Sequence, residues 1–321
     1  MEQVARHPPK EHVTLHNDRV QVTVQPERGG NMTSLVSRDT GREFFLQPEE
    51  QAPQPVSYGD AFDEHPPSGF DECFPTVAST SVAYSAHSEA VSLPDHGELW
   101  CRAWDYETRG EALLLWVEGE QLPYRFEKEI RLREYGVELN YTVENQGDYA
   151  LPYVWSAHPL LRTNGAERIE LPADVDAVSL YWASDDCLGE SGDRLPWPVD
   201  EARSLLPDLS RVSSDVPDLA LKCFTDGLST GAAQLCYSDP EEALRFVFDP
   251  DSVPYLGLWL CYDGWPPDRS WSQRTVAIEP TSSPTDALAD AIAQEACPVL
   301  TPGDAHSWTL KLQLVPHHGS S

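Results

Sequence analysis

Residues 125–144 read RFEKEIRLREYGVELNYTVE. Phe126, Lys128, Ile130 and Leu132 fall on one side, with Arg125, Glu127, Glu129 and Arg131 on the other. Val137, Leu139, Tyr141 and Val143 repeat the pattern against Glu138, Asn140, Thr142 and Glu144. Successive side chains of a strand point to opposite faces, so a period of two puts one face on a core and one in water. That is the habit of antiparallel sheets. The alternation returns at Val20, Val22 and Val24 and again at Trp308, Leu310, Leu312 and Leu314. Turn clusters separate such runs: Glu27-Arg28-Gly29-Gly30, Asp39-Thr40-Gly41, Asn145-Gln146-Gly147-Asp148 and Asp263-Gly264. One helix is expected over residues 286–295, an Ala-rich run with Thr285 as its cap. Residues 49–69 and 183–217, rich in Pro and acids, read as long surface loops. Many strands and one short helix in 321 residues point to an all-β sandwich, a single domain over 1–321 with its core at about 12–316.

Composition narrows the classes of function. Lys and Arg total 22 against 53 Asp and Glu, a formal charge of −31. Phosphate is repelled by such a surface, so nucleic acid and anionic membrane are not expected partners. No window approaches the roughly 18 apolar residues of a membrane span, and no secretory signal is read at the N-terminus, so a cytoplasmic protein is expected. The seven Cys are scattered singly, without a CxxC pair. Neither a disulfide framework nor a zinc site is expected from that spacing, and reduced thiols are.

Five short segments carry residue types suited to chemistry. Gly29-Gly30 lacks any phosphate-loop pattern and reads as a turn with positive φ. Gly69-Phe70-Asp71-Glu72-Cys73-Phe74-Pro75-Thr76 sets two acids among aromatics, where charge is penalised. Pro94-Asp95-His96-Gly97-Glu98-Leu99-Trp100 offers a His able to change protonation near neutral pH. Tyr153-Val154-Trp155-Ser156-Ala157-His158-Pro159 places a second His at the end of an apolar run. Glu279, after Val276-Ala277-Ile278 and before Pro280, is a carboxylate whose partial burial would raise its pKa toward that of a general base. Each segment also has a plain structural reading: a solvated turn, a satisfied core histidine, a strand-terminal Glu.

Taken in order, these motifs, together with Leu256-Gly257-Leu258-Trp259, resemble the aldose 1-epimerase (galactose mutarotase-like) family over about residues 20–315. The similarity is closest to the aldose-epimerase-like members that carry FDECFPT, here 70–76, and HGELW, here 96–100. The resemblance implies a β-supersandwich with a sugar cleft on one sheet. It implies that Glu279 is the general base and His158 the general acid, with His96 as a second histidine contacting the ring oxygen or the anomeric region. Asp218 would bind a sugar hydroxyl, and Trp100 and Trp259 would pack on the apolar face of a pyranose.

The reaction so implied needs no cofactor and no metal, and its partner is a small-molecule sugar; the chain would act as a monomer or homodimer. Classical members carry an Arg before the first histidine, whereas no Arg lies between Arg42 and Arg102 here. Asp71 or Glu72 is expected to accept sugar hydroxyls instead. Without an Arg cluster to hold phosphate, a neutral sugar is expected. A sugar-phosphate epimerase and a non-catalytic carbohydrate-binding or regulatory protein on the same fold are the alternatives.

Overall fold

The computed structural model describes residues 12–48, 56–84, 89–199, 208–212, 218–267 and 273–315. The sequence at 125–144 forms two long antiparallel strands, Tyr124–Arg133 and Gly136–Asn145, with Lys128 opposite Tyr141 and Phe126 opposite Val143. They lie inside an eight-stranded sheet. Its order is Arg168–Glu170, Ala232–Ser238, Glu241–Phe248, Ala305–Val315, Gly136–Asn145, Tyr124–Arg133, Ala112–Glu118 and Asp105–Arg109.

The other large sheet has eleven strands and carries the motif residues. Along its main path it runs Val13–His16, Val20–Gln25, Asn31–Ser37, Phe70–Cys73, Ser156–Pro159, Arg274–Thr281, Tyr255–Tyr262, Leu219–Phe224, Ala177–Ala183 and Arg194–Pro196. Leu161–Arg162 also pairs with Arg274–Thr281. All its recorded strand pairings are antiparallel. The expected all-β fold is thus the observed one.

One hydrophobic cluster joins the inner faces of the two sheets. Its aromatic centre is Tyr141, Trp155 and Trp308, with ring centroids 4.9–5.4 Å apart. Phe74 extends it toward Tyr124 and Phe126. Alternation along Phe70–Cys73 sends Phe70 and Glu72 into this layer. Glu72 is fully buried there, 2.9 Å from Lys128 Nζ, and accepts hydrogen bonds from Tyr141 Oη and Trp155 Nε1. This pairing explains why Lys128 sits on an apolar face: its ammonium has an inter-sheet carboxylate and the ring of Phe70 beside it.

Three sequence expectations change. The helix is Leu288–Ala293, and Thr285 does not cap it. The start is delayed because the Asp286 carbonyl accepts from Val77 N and Ala78 N, and Thr76 Oγ1 accepts from Leu288 N in place of an intrahelical partner. The stretch 49–69 is not wholly loop: Phe62–Glu64 is a 3-10 turn, while 49–55 lie outside the described residues. In 183–217 the strand Arg194–Pro196 extends the sheet at Ala177–Ala183, and 200–207 and 213–217 are again outside them. Gly29 and Gly30 do adopt φ of 64° and 61°, and a Cβ on Gly29 would come within 2.5 Å of the Trp100 backbone.

Candidate active site

The outer face of the eleven-stranded sheet holds one row of residues across five strands. Asp71 stands opposite His158. The pairs Ser156–Thr281 and Leu161–Val276 share one register, which sets His158 opposite Glu279. Glu279 faces Gly257, and Gly257 faces Phe224. The neighbouring row on the same face runs Trp259, Lys222 and Trp182. Between Leu180 and Trp182 the register shifts by one residue, so Tyr181 is an extra residue. Its ring meets Phe224 edge-on at 5.5 Å, on the same face as Trp182.

His96 comes from a loop laid over this face. His96 and Gly97 have φ of 57° and 72°. Only glycine fits at 97, because a Cβ there would lie 2.1 Å from Phe74 O. The loop is pinned by His96 N donating to Val77 O and Glu98 N donating to Phe74 O, at 2.6 and 2.7 Å. Asp95 Oδ1 lies 3.1 Å from His96 Nδ1, and Asp95 Oδ2 accepts from Phe62 N at 2.9 Å. Phe62 in turn stacks on His96 at 4.0 Å and meets the edge of His158 at 5.1 Å. The two imidazole centroids are 4.9 Å apart.

These elements enclose a cavity of about 390 Å³, a size common for small-molecule sites. His96, His158, Glu279 and Trp259 line it, with Phe62, Tyr181, Trp182 and Trp265 supplying aromatic walls and Asp63, Asp95, Lys222 and Asp286 charge. Trp182 and Trp259 stack at 6.0 Å, and Trp265 meets Trp182 edge-on.

Burial and neighbouring charge separate the two histidines. Burial opposes charge on His96, but Asp95 outweighs it and holds the imidazole above its ordinary pKa. Burial drives His158 well below its ordinary value, and the charges of His96 and Lys222 add to the effect. The Glu279 carboxyl is raised by burial, against the pull of Lys222. Burial likewise opposes charge on Lys222, yet Asp286 and Glu279 keep it firmly cationic. Its Nζ contacts Glu279 Oε2 and lies 3.6 Å from Asp286 Oδ1.

Four of the residues expected to bind sugar do not line the cavity. Glu72 points the other way, into the inter-sheet core, because it alternates with Asp71 on one strand. Asp71 faces outward but is buried under Asn31 and Arg28, and burial lifts its pKa to about 6. Trp100 is fully buried behind Phe62, its Nε1 donating to Asp95 O, so it props the cavity wall from outside. Asp218 precedes Leu219–Phe224 with a φ of 55° and its side chain is exposed away from the cavity. Lys222, four residues further on, is the charged residue that this strand delivers. The sequence missed Lys222, Asp286, Phe62, Tyr181, Trp182 and Trp265. Only Lys222 left a trace, as a lone cation in the apolar run Leu219–Phe224.

The fold is that of the galactose mutarotase-like proteins. A galactose mutarotase related enzyme from Lactobacillus acidophilus superposes with a TM-score of 0.68 at 18% identity, over 94% of this chain and 97% of that one. Galactose mutarotase-like proteins from Lactobacillus casei and Clostridium acetobutylicum match with TM-scores of 0.68 and 0.69 at 16% and 14% identity. They cover 94% and 95% of this chain and 99% and 95% of theirs. Neither a family model nor a curated relative matches the sequence. Among the described residues, no helix is long and apolar enough to cross a membrane.

Proposed function

We propose that the chain is an aldose 1-epimerase, a mutarotase that interconverts the α and β anomers of a free, neutral aldose. The observation that carries this reading is the convergence of Glu279, His96 and His158 on one aromatic-walled cavity, where their surroundings push the two imidazole pKa values in opposite directions. Ring opening needs a base at the anomeric hydroxyl and an acid at the ring oxygen, each with a pKa near the working pH. Glu279 takes the hydroxyl proton as carboxylate. His96, whose protonated form Asp95 favours, gives its proton to the ring oxygen as the C1–O5 bond breaks. The open aldehyde rotates about C1–C2, and reclosure with both proton movements reversed yields the other anomer.

The family resemblance gives the acid role to His158, but the surroundings favour His96. A neutral imidazole at His158 serves as a hydrogen-bonding partner to the sugar instead. Lys222 favours the ionised form of Glu279 against burial, and a sugar hydroxyl must share the carboxylate with it. Trp259 supplies the apolar platform. Among the described residues no Arg lines the cavity, and Asp63, Asp95, Glu279 and Asp286 disfavour a phosphate there.

The Lys222 contact also favours a second reading, in which the carboxylate is a fixed half of an ion pair and the cavity only binds sugar. Polarimetry on freshly dissolved aldoses, with wild type and Glu279→Gln, separates the two. A mutarotase accelerates equilibration, and the variant loses about 10²- to 10⁴-fold while still binding sugar. A protein that binds an aldose but accelerates none, neutral or phosphorylated, is the binding protein.

A further inference from the structure

Cys73 has no part in the reaction above, yet it lies buried beside both histidines. Its strand alternates, so Cys73 and Asp71 face outward while Phe70 and Glu72 enter the core. Ser156 lies opposite Cys73 and Asp71 opposite His158, which puts the thiol one step along from the imidazole. The loop carrying His96 is bridged to this segment through Phe74 and Gly97. One ligand atom from each of Cys73, His96 and His158 consequently lies within 4.8 Å of the other two.

One sulfur and two imidazole nitrogens suit Zn²⁺ and its softer neighbours, not the oxygen-seeking Mg²⁺ or Ca²⁺. Tetrahedral zinc, with bonds of about 2.3 Å to sulfur and 2.0–2.1 Å to nitrogen, holds those ligand atoms about 3.5 Å apart. The three donors therefore need to close by at most about 1.3 Å, which turning the imidazoles can supply.

A second observation comes from His158, only 7% exposed, whose Nδ1 makes no hydrogen bond. A buried polar atom without a partner is costly and calls for one. Both histidines line the cavity, which provides a path inward and leaves a fourth position open. Asp71 and Asp95 set carboxylates beside the cluster that favour a cation, and the charge of Lys222 is already matched by Glu279 and Asp286.

We propose that Cys73, His96 and His158 form a binding site for a thiophilic divalent cation of the Zn²⁺ class, and that filling it blocks the centre. Binding releases the Cys73 thiol proton and the His96 imidazolium proton to solvent in exchange for bonds to the metal, and it occupies both imidazoles. Only the blocking half rests on the mutarotase reading. The metal site does not appear in the sequence as a motif because its ligands, at 73, 96 and 158, come from three separate segments.

The test is titration of the chelator-treated full chain with Co²⁺, a coloured stand-in for Zn²⁺. The expected result is a thiolate-to-cobalt band in the near ultraviolet with tetrahedral bands in the visible, displaced by Zn²⁺. Cys73→Ser abolishes the thiolate band and weakens Zn²⁺ binding more than about tenfold, beyond the smallest losses seen on changing outer partners. His96→Gln, at a partly exposed position, is the independent variant and removes the tetrahedral bands. A wild-type protein with no such bands, or a thiolate band that survives Cys73→Ser, overturns the site.

Anomerisation is the separate arm. Zn²⁺ stops it in wild type, whereas Cys73→Ser keeps its metal-free rate and needs at least about tenfold more Zn²⁺ for the same inhibition. A cobalt spectrum with no anomerisation at all upholds the site and removes the mutarotase reading. A cobalt spectrum with a rate indifferent to Zn²⁺ overturns the blocking.

Discussion

Gly257 lies directly opposite Glu279 in the antiparallel register, and a Cβ on Gly257 would come within 3.1 Å of Glu279 Oε2. That oxygen is the one Lys222 contacts from the strand on the far side of Gly257. The bare glycine thus leaves open the space in which carboxylate and ammonium meet. Gly257→Ala is expected to shift the carboxylate by a few tenths of an ångström and lower kcat modestly. Gly257→Val, which must displace it further, is expected to cost about 10²-fold, the usual effect of a 1 Å misplacement. Sugar affinity should change far less; polarimetry with a binding titration reads both.

The acid–base assignment gives a pH profile with a definite sign. The rate needs Glu279 ionised and His96 protonated, so it rises through the raised pKa of Glu279 and falls through the raised pKa of His96. Asp95→Asn removes the charge that lifts His96, and its alkaline limb should move to lower pH while the acid limb stays close to its place. An unmoved alkaline limb would return the acid role to another group.

The buried Lys128–Glu72 pair makes a prediction about stability alone. Glu72→Ala leaves an ammonium, a tyrosine hydroxyl and an indole N–H without their common acceptor in a dry core. A loss of about 3–5 kcal/mol is expected, as for other broken buried pairs. Replacing both partners by apolar residues of similar size should recover much of it. Urea unfolding measures the difference.

Asp71 titrates in the opposite sense to a stabilising carboxylate. Burial raises its pKa from 3.8 to about 6. Between those values the folded state binds the extra proton, so stability falls as pH rises through the window, by about 3 kcal/mol. Asp71→Asn should be more stable than wild type at pH 8 and close to it at pH 4. Denaturant midpoints at the two pH values test this.

The strand alternation at 125–144 and the turn at Gly29-Gly30 were legible because both are local rules of backbone geometry. Glu279, His96 and His158 were legible as reactive residue types in an ordered set of motifs. What escaped is set by pairing across the sheet. Whether Asp71 or Glu72 reaches the outer face depends on which strand faces Phe70–Cys73, and a one-residue difference decides it. Lys222, Asp286 and Phe62 converge from a strand, the approach to the helix and a 3-10 turn, with no spacing in common. Thr285 failed as a cap because Thr76, more than two hundred residues away, holds the first free amide of the helix.

The extra residue at Tyr181 has its own consequence. In an unbroken strand, neighbours in sequence are strangers in space, one on each side of the sheet. The shift at Leu180 and Trp182 suspends that rule, so two adjacent aromatic rings address the same chamber. Deleting a single residue there would restore strict alternation and turn one ring away, altering the shape offered to a ligand while Glu279 and both histidines stay where they are. The chamber's outline and its chemistry are therefore inherited separately.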